Sequence, residues 1–404
     1  MLVEHALGCW GAPTRYFCAR ACRALVHPNT AAVAKMQNQA RLPLIVAAGG
    51  TGGDLFPVLA IVEQLSRILP PHAVLEPVFV GNRSRIEGRV IPARGYRFVP
   101  IPMRGYYGLR SARTYSLAWR LPISIARVAH TLSTVQPRVA LLAGTYVSLP
   151  VAIAARWANV PIVLVEINAI PGKVNRMVAQ WAERIFVSVP ACRDAFPSSV
   201  RERVLVVGTP IRPELRTRID PRIARGSFGL DPERPVLLVL GGSLGAQSIN
   251  SAIEAIRDRI LAAGWQILWQ TGANYSPPLN AGIVARPFIE DMASAYAAAE
   301  LVLSRAGGST VAELAALGKA AILVPYPHAA NREQHHNAKV LAQTGGAVVI
   351  EDASLGAELW PALELLLGDE RRRQSMARAA HSLGVPDATE RAAGTLAALL
   401  VGNQ

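Results

Sequence analysis

Short apolar runs that stop at glycines, followed by stretches with helical spacing, recur along this chain. The first is LPLIVAAGG, residues 42–50, ahead of a helical pattern at 57–69. A run that is short and apolar at consecutive positions predicts a strand buried on both faces, and the succession of strand, glycine loop and helix is the unit of a parallel sheet. Further strands are predicted at 74–81, 139–144, 161–166, 184–189 and 203–208. After a Pro- and Arg-rich piece at 210–235 the series restarts, with strands at 235–242, 265–272, 300–308, 320–327 and 346–350 and helices at 246–262, 310–317 and 333–343. This predicts two consecutive α/β domains, residues 41–212 and 213–385, behind an N-terminal extension of residues 1–40. Residues 386–404 carry a final helix able to cross back to the first domain. No window approaches the roughly 18 consecutive apolar residues of a membrane-spanning helix.

With 404 residues, 51% hydrophobic and 17% charged, the composition is that of a folded chain and excludes disorder as the main state. Charge changes the picture more. The formal net charge is +14, and residues 88–165 contain no Asp or Glu but ten Arg, so that stretch should face an anionic partner. Within it, residues 101–127 interleave Tyr106, Tyr107, Leu109, Tyr115, Trp119 and Ile123 with Arg104, Arg110, Arg113 and Arg120. Aromatic rings among arginines suit the headgroup level of an anionic phospholipid membrane, which makes a membrane surface the expected partner. The alternative is that the apolar members pack in the core while the arginines face water. No nucleic-acid-binding motif appears, and nucleic acid is not expected. Cys9, Cys18 and Cys22 near His27 lack metal-site spacing and read as free thiols, and His335 and His336 are adjacent and diverge on a helix. Neither metal nor cofactor is expected.

Three glycine loops carry the candidate chemistry. GGTGGD at 49–54, GGSLGAQSIN at 241–250 and SRAGGSTVAEL at 304–314 each join a strand to a helix. Glycines admit positive φ and close approach of a ligand, and a helix start presents N–H groups to phosphate. None has the spacing of a dinucleotide fingerprint or a P-loop. Thr51 with Asp54, and Thr310 with Glu313, also have the spacing of helix-capping pairs. Three such junctions in two domains point to a nucleotide-linked substrate in the cleft between them.

Taken together, residues 49–65, 166–176, 208–212, 241–250, 288–328 and 331–338 resemble the peptidoglycan glycosyltransferases of family 28, which make lipid II from lipid I. The resemblance covers about residues 41–400. It implies a GT-B fold, α/β with two Rossmann-like domains whose parallel sheets face each other across a cleft. It further implies UDP-N-acetylglucosamine as donor, undecaprenyl-linked lipid I as acceptor, no cofactor, and peripheral attachment at the cytoplasmic face of the inner membrane. Thr51, Gly52 and Gly53 are then expected near the donor diphosphate and sugar, Asn168 in the interdomain cleft, and Arg212 and Ser243 at the diphosphate. Ile289 is expected to read uracil through its backbone. Gly308, Ser309, Thr310, Val311, Ala312 and Glu313 are expected to form the helix start that holds diphosphate and ribose, with Glu313 on the ribose hydroxyls and Gln334 on the donor sugar.

Three departures from the family pattern fall on the acceptor side. Asp54 stands where the family usually has His after TGG, Val165 and Ile167 flank Glu166 where it reads His-Glu-Gln-Asn, and Thr145 turns GGYVS into GTYVS. The implied reaction needs a base near the attacking hydroxyl. Asp54 is the expected base and Glu166 the competing choice.

Overall fold

The computed structural model describes residues 40–105, 115–242, 245–277 and 280–402 of the chain. The first domain is a seven-stranded parallel sheet of β1 (Ala40–Ala47), β2 (Ala73–Gly81), β3 (Arg97–Pro100), β4 (Val139–Leu142), β5 (Ile162–Glu166), β6 (Ala182–Val187) and β7 (Val204–Val206). Its spatial order is β3-β2-β1-β4-β5-β6-β7. The second is a six-stranded parallel sheet of β8 (Val236–Leu240), β9 (Gln266–Gln270), β10 (Ile283–Arg286), β11 (Leu301–Arg305), β12 (Ala321–Val324) and β13 (Ala347–Val349), in the order β10-β9-β8-β11-β12-β13. Helices cover both faces, so the inner strands are apolar throughout, as at Ile45, Val163, Leu238 and Val302, all fully buried.

In each sheet the order reverses beside the first strand, between β1 and β4 and between β8 and β11. A crevice opens at such a switch point at the carboxyl ends of the strands, and this is where open α/β sheets bind ligands. Helices α1 (Gly52–Ile68), α3 (Gln247–Ala262), α4 (Gly308–Leu317) and α5 (Glu333–Gln343) line the crevice, whereas α2 (Leu117–Val135) and α6 (Ala388–Gly402) pack on the first domain's core. Helix α6 lies on α1, burying Ala392, Ala393, Leu396 and Leu400 with Leu55, Val58 and Leu59. The end of the chain is thus built into the first domain's core.

Two strands have no counterpart in the sequence reading. β3 and β10 are four-residue edge strands, RFVP and IVAR, whose Arg97 and Arg286 are exposed. Each is only four residues long and includes an exposed arginine, so no apolar run ending in glycines marks it. In the basic segment, Tyr106, Tyr107, Leu109, Arg110 and Arg113 lie outside the described residues, as do Cys9, Cys18, Cys22 and His27. The described part separates into two sets. Leu117, Leu121 and Ile125 pack on the core, whereas Tyr115, Trp119 and Ile123 are 72%, 50% and 40% exposed. Arg120 stacks 4.3 Å from the Trp119 ring and donates to the Pro102 carbonyl at 2.8 Å. No described helix is long and apolar enough to cross a membrane.

Candidate active site

The carboxyl ends of both sheets open on one cleft of about 620 Å³. From the first domain it is lined by Thr51, Gly52, Gly53 and Phe56 at the start of α1; from the second, by Gly307, Ser309 and Thr310 at the start of α4. The two helix ends nearly touch. A Cβ added at Gly53 would come 3.3 Å from Ser309 Oγ. Neither helix has a side-chain cap, so their first N–H groups are available to a ligand, and two positive helix ends converge on one spot. Such an arrangement suits an anion.

The glycine loops have distinct physical reasons. Gly50 takes φ +93°, and Gly49 makes room for the Glu87 side chain, whose Cδ would lie 2.4 Å from a Cβ there. Glu87, 1% exposed, accepts from Gly50 N at 3.0 Å and Asn82 N at 2.9 Å, which fixes the loop ahead of α1. After β8, Gly242 and Gly245 take φ +86° and +80°, and a Cβ at Gly245 would sit 2.3 Å from the Thr271 carbonyl. Ser243 in that loop lies outside the described residues.

Arg212 reaches the cleft from the segment between the domains. Its Nη2 lies 3.3 Å from Glu313 Oε1, and its guanidinium sits 5.1 Å from the Phe56 ring of α1. The other Glu313 oxygen accepts from the buried Tyr296 hydroxyl at 2.8 Å. Burial, and then the Glu313 charge, hold the Tyr296 phenol protonated well above its ordinary range. Tyr296 therefore always donates, and it fixes the carboxylate at the cleft wall. Gln334 accepts from Tyr326 N at 3.0 Å through Oε1, leaving its amide NH₂ toward the cleft it lines. Ile289 N–H is taken by Gln270 Oε1 at 2.9 Å, so what Ile289 can offer a base is its carbonyl.

Asp54 sits in the first turn of α1. Its Oδ2 accepts from Thr51 Oγ1 at 2.7 Å, so the two side chains bond each other rather than capping the helix. Burial pushes the Asp54 carboxyl up to about 7, helped by the negative charges of Glu166, Glu333 and Glu87 and opposed by the Thr51 bond. Glu333, at the start of α5, is also pushed up to about 7, by burial and then by Glu166. A carboxyl titrating near neutrality is suited to taking a proton in the transition state. Glu166 differs in kind. It is 4% exposed, and both its oxygens are occupied: Oε1 by Asn168 N at 2.9 Å and Asn168 Nδ2 at 3.0 Å, Oε2 by Gly172 N at 2.7 Å and Asn175 Nδ2 at 2.9 Å. It organises the loop after β5 and has no oxygen left for a substrate proton.

Not every expected residue turns to the cleft. Val311 and Ala312 lie on the opposite side of α4, against a second, largely apolar space of about 290 Å³, and Val311 N–H is spent on Gly307 O at 3.0 Å. Thr310 is inside the helix that Gly307 caps, so it is not the cap. His335 pairs with Glu351 at 2.9 Å while His336 is exposed, and the two rings serve different surroundings. Thr145 leaves the backbone untroubled because the positive φ, +72°, falls on Gly144, where a Cβ would meet Asn175 at 2.2 Å. The Thr145 hydroxyl itself is buried without a partner.

The chain is similar to known proteins over most of its length. The family model described as Glycosyltransferase family 28 N-terminal domain matches residues 44–187, and that described as Glycosyltransferase family 28 C-terminal domain matches residues 236–392. A Salinibacter ruber protein named UDP-N-acetylglucosamine--N-acetylmuramyl-(pentapeptide) pyrophosphoryl-undecaprenol N-acetylglucosamine transferase is 38% identical over 363 residues, covering 88% of this chain and 96% of its own. A Chlorobium luteolum protein of the same name is 38% identical over 370 residues, covering 87% and 98%. The crystal structure of Acinetobacter baumannii MurG superposes with a TM-score of 0.66 at 26% identity, over 88% of this chain and 99% of that one. With both family domains matched and these relatives aligned along nearly their whole length, the chain is a glycosyltransferase and belongs to glycosyltransferase family 28.

Proposed function

We infer that the protein transfers N-acetylglucosamine from UDP-N-acetylglucosamine to the C4 hydroxyl of the muramyl sugar of lipid I, forming lipid II. The observation that carries this reading is the meeting of the α1 and α4 starts in one cleft, with Arg212 and Glu313 beside them. The helix ends and Arg212 suit the donor diphosphate, Glu313 the ribose hydroxyls, the Ile289 carbonyl the uracil, and Gln334 the sugar. Ser243, outside the described residues, is assigned to the diphosphate on the resemblance alone. Gly308, Ser309 and Thr310 act through the helix start, whereas Val311 and Ala312 are assigned no contact.

These residues support the following reaction. The acceptor C4 oxygen attacks the anomeric carbon as the bond to the UDP oxygen breaks, which inverts α to β. Asp54, ionised, takes the hydroxyl proton, and UDP leaves with its new charge held by backbone N–H groups and Arg212. Glu166 holds the loop that carries Asn168. Calorimetry with UDP-N-acetylglucosamine and other nucleotide sugars, followed by a product assay on a panel of lipid-linked and soluble acceptors, tests the reading. Equal affinity for every nucleotide sugar would reject the donor. Transfer only to an acceptor other than lipid I would move the protein to a related activity, the reading that the departures at Asp54, Val165, Ile167 and Thr145 favour. Tight binding with no product on any acceptor would make it a binding protein.

We further propose that the first domain docks peripherally on the cytoplasmic face of the inner membrane. Tyr115, Trp119 and Ile123 follow one another at four-residue spacing, are exposed, and adjoin Arg120, and the flanking stretch carries no acid. Flotation with vesicles should recover the protein with anionic but not neutral phospholipid, and less at higher salt. The double variants Trp119→Ser/Ile123→Ser and Arg110→Ala/Arg113→Ala should each lower recovery several-fold. Equal recovery with both lipids, or unchanged recovery of both variants, would reject the docking surface.

A further inference from the structure

The seam between the domains carries a second device, and reading it rests on the transferase function proposed above. Asn337 lies on α5 of the second domain and is 2% exposed. Its Oδ1 accepts from Ala169 N of the first domain at 2.8 Å. Its Nδ2 donates to Asn168 Oδ1 of the first domain at 3.0 Å and to Ala306 O of the second at 3.2 Å. Both donors and the carbonyl oxygen of the amide are thereby engaged. A main-chain N–H on one side and a main-chain carbonyl on the other leave the amide a single orientation. That orientation sets Asn168 in turn: its Oδ1 must face Asn337, so its Nδ2 must face Glu166, where it donates at 3.0 Å.

We propose that Asn337 is a positioning residue that sets the register of the acceptor-side loop on the donor-binding helix. The chain Glu166, Asn168, Asn337, Ala306 runs from the carboxyl end of β5 to the loop that opens α4, across the two domains that must bring acceptor and donor together. Packing alone would not fix this register. Behind the chain lies the apolar space of about 290 Å³, bounded by Ile167, Ala169, Val311 and Leu341, so the seam is loosely filled there. Where it does close, it closes on Gly308, at which a Cβ would fall 2.6 Å from the Ile167 carbonyl and 3.0 Å from Asn168 Oδ1. Directional bonds therefore do the aligning, and buried ones are costly to leave unmade. Only an amide meets the need. Asp at this position would set an anion against Asn168 Oδ1 and the Ala306 carbonyl, and an apolar residue would strand Ala169 N–H.

Asn337 touches no reacting atom, so its loss should appear in turnover and not in donor affinity. A displacement of about 1 Å between attacking and accepting atoms lowers rate on the order of 100-fold. In the full-length protein, Asn337→Asp and Asn337→Ala should lower turnover roughly 10- to 100-fold while calorimetric affinity for UDP stays within about 3-fold. Asn168→Ala removes the same bond from the other domain, and the Asn168→Ala/Asn337→Ala double variant should lose far less than the product of the single losses. The two Asn337 variants turning over within 2-fold of the native protein, additive losses in the cycle, or UDP affinity falling in step with turnover would each overturn the inference. Should an Asn337 variant not fold, Asn168→Ala with normal turnover overturns it equally. Absence of transfer by the native protein strikes the transferase reading and this inference with it, whereas native transfer with an unaffected Asn337→Ala strikes this inference alone.

Discussion

Replacing Asp54 by Asn is expected to lower turnover by roughly 100- to 10,000-fold and to leave affinity for UDP-N-acetylglucosamine within a few-fold, because on the proposed mechanism it removes the proton acceptor with little change of shape. The size of the effect rests on where Asp54 titrates. An ordinary Asp, near 3.9, is a weak base, but burial and the facing carboxylates push this one up to about 7. The proposed base acts in its ionised form, so turnover should rise with pH through about 7 and fall below it. Thr51→Val removes the one bond that lowers this value and should move the acid limb upward. Asp54→His should keep substantial turnover, because an imidazole at the same place can take the hydroxyl proton. Normal turnover for Asp54→Asn would remove Asp54 from the chemistry. Glu333, which titrates in the same range, would then be the carboxyl to replace by Gln, because the oxygens of Glu166 are already filled.

Glu313→Ala should weaken UDP-N-acetylglucosamine binding by roughly 10- to 100-fold, the loss expected when buried hydrogen bonds to a charged group are removed. Two effects act together. The ribose loses its acceptor, and Arg212 and the Tyr296 hydroxyl, both paired to Glu313 now, are left without their partner in a buried corner. Glu313→Gln keeps the shape and an acceptor for Tyr296 but not the ion pair, and should fall between the two. Calorimetry on the three proteins reads this directly; equal affinities would take Glu313 out of the donor site.

The parts legible in the sequence are those whose cause is local. A doubly covered parallel strand has to be apolar at every position, so the inner strands stood out, and a glycine pair between strand and helix marked each turn into the cleft. The edge strands β3 and β10 escaped because each is four residues long and carries an exposed arginine, whereas the edge strands β7 and β13 lie in longer apolar runs. Glu87 escaped for another reason. Its partners are main-chain N–H groups of Asn82 and Gly50, and a backbone donor leaves no trace in residue type. In hindsight its signal was position, as the last acid before the acid-free stretch. Asn337 meets Asn168 across 169 residues, a pairing no spacing rule reaches. Asp54 was legible as a carboxyl in the right loop, while its raised titration depends on Glu166, Glu333 and Glu87 arriving from three other segments.

The reaction itself is tested most directly by incubating the native protein with UDP-N-acetylglucosamine carrying a labelled sugar and with lipid I, then following both UDP release and the linkage of the label. The account predicts one UDP released for each disaccharide formed, with the new bond β and on the muramyl C4 oxygen. UDP release without disaccharide, an α linkage, or label carried only by a different acceptor would contradict it.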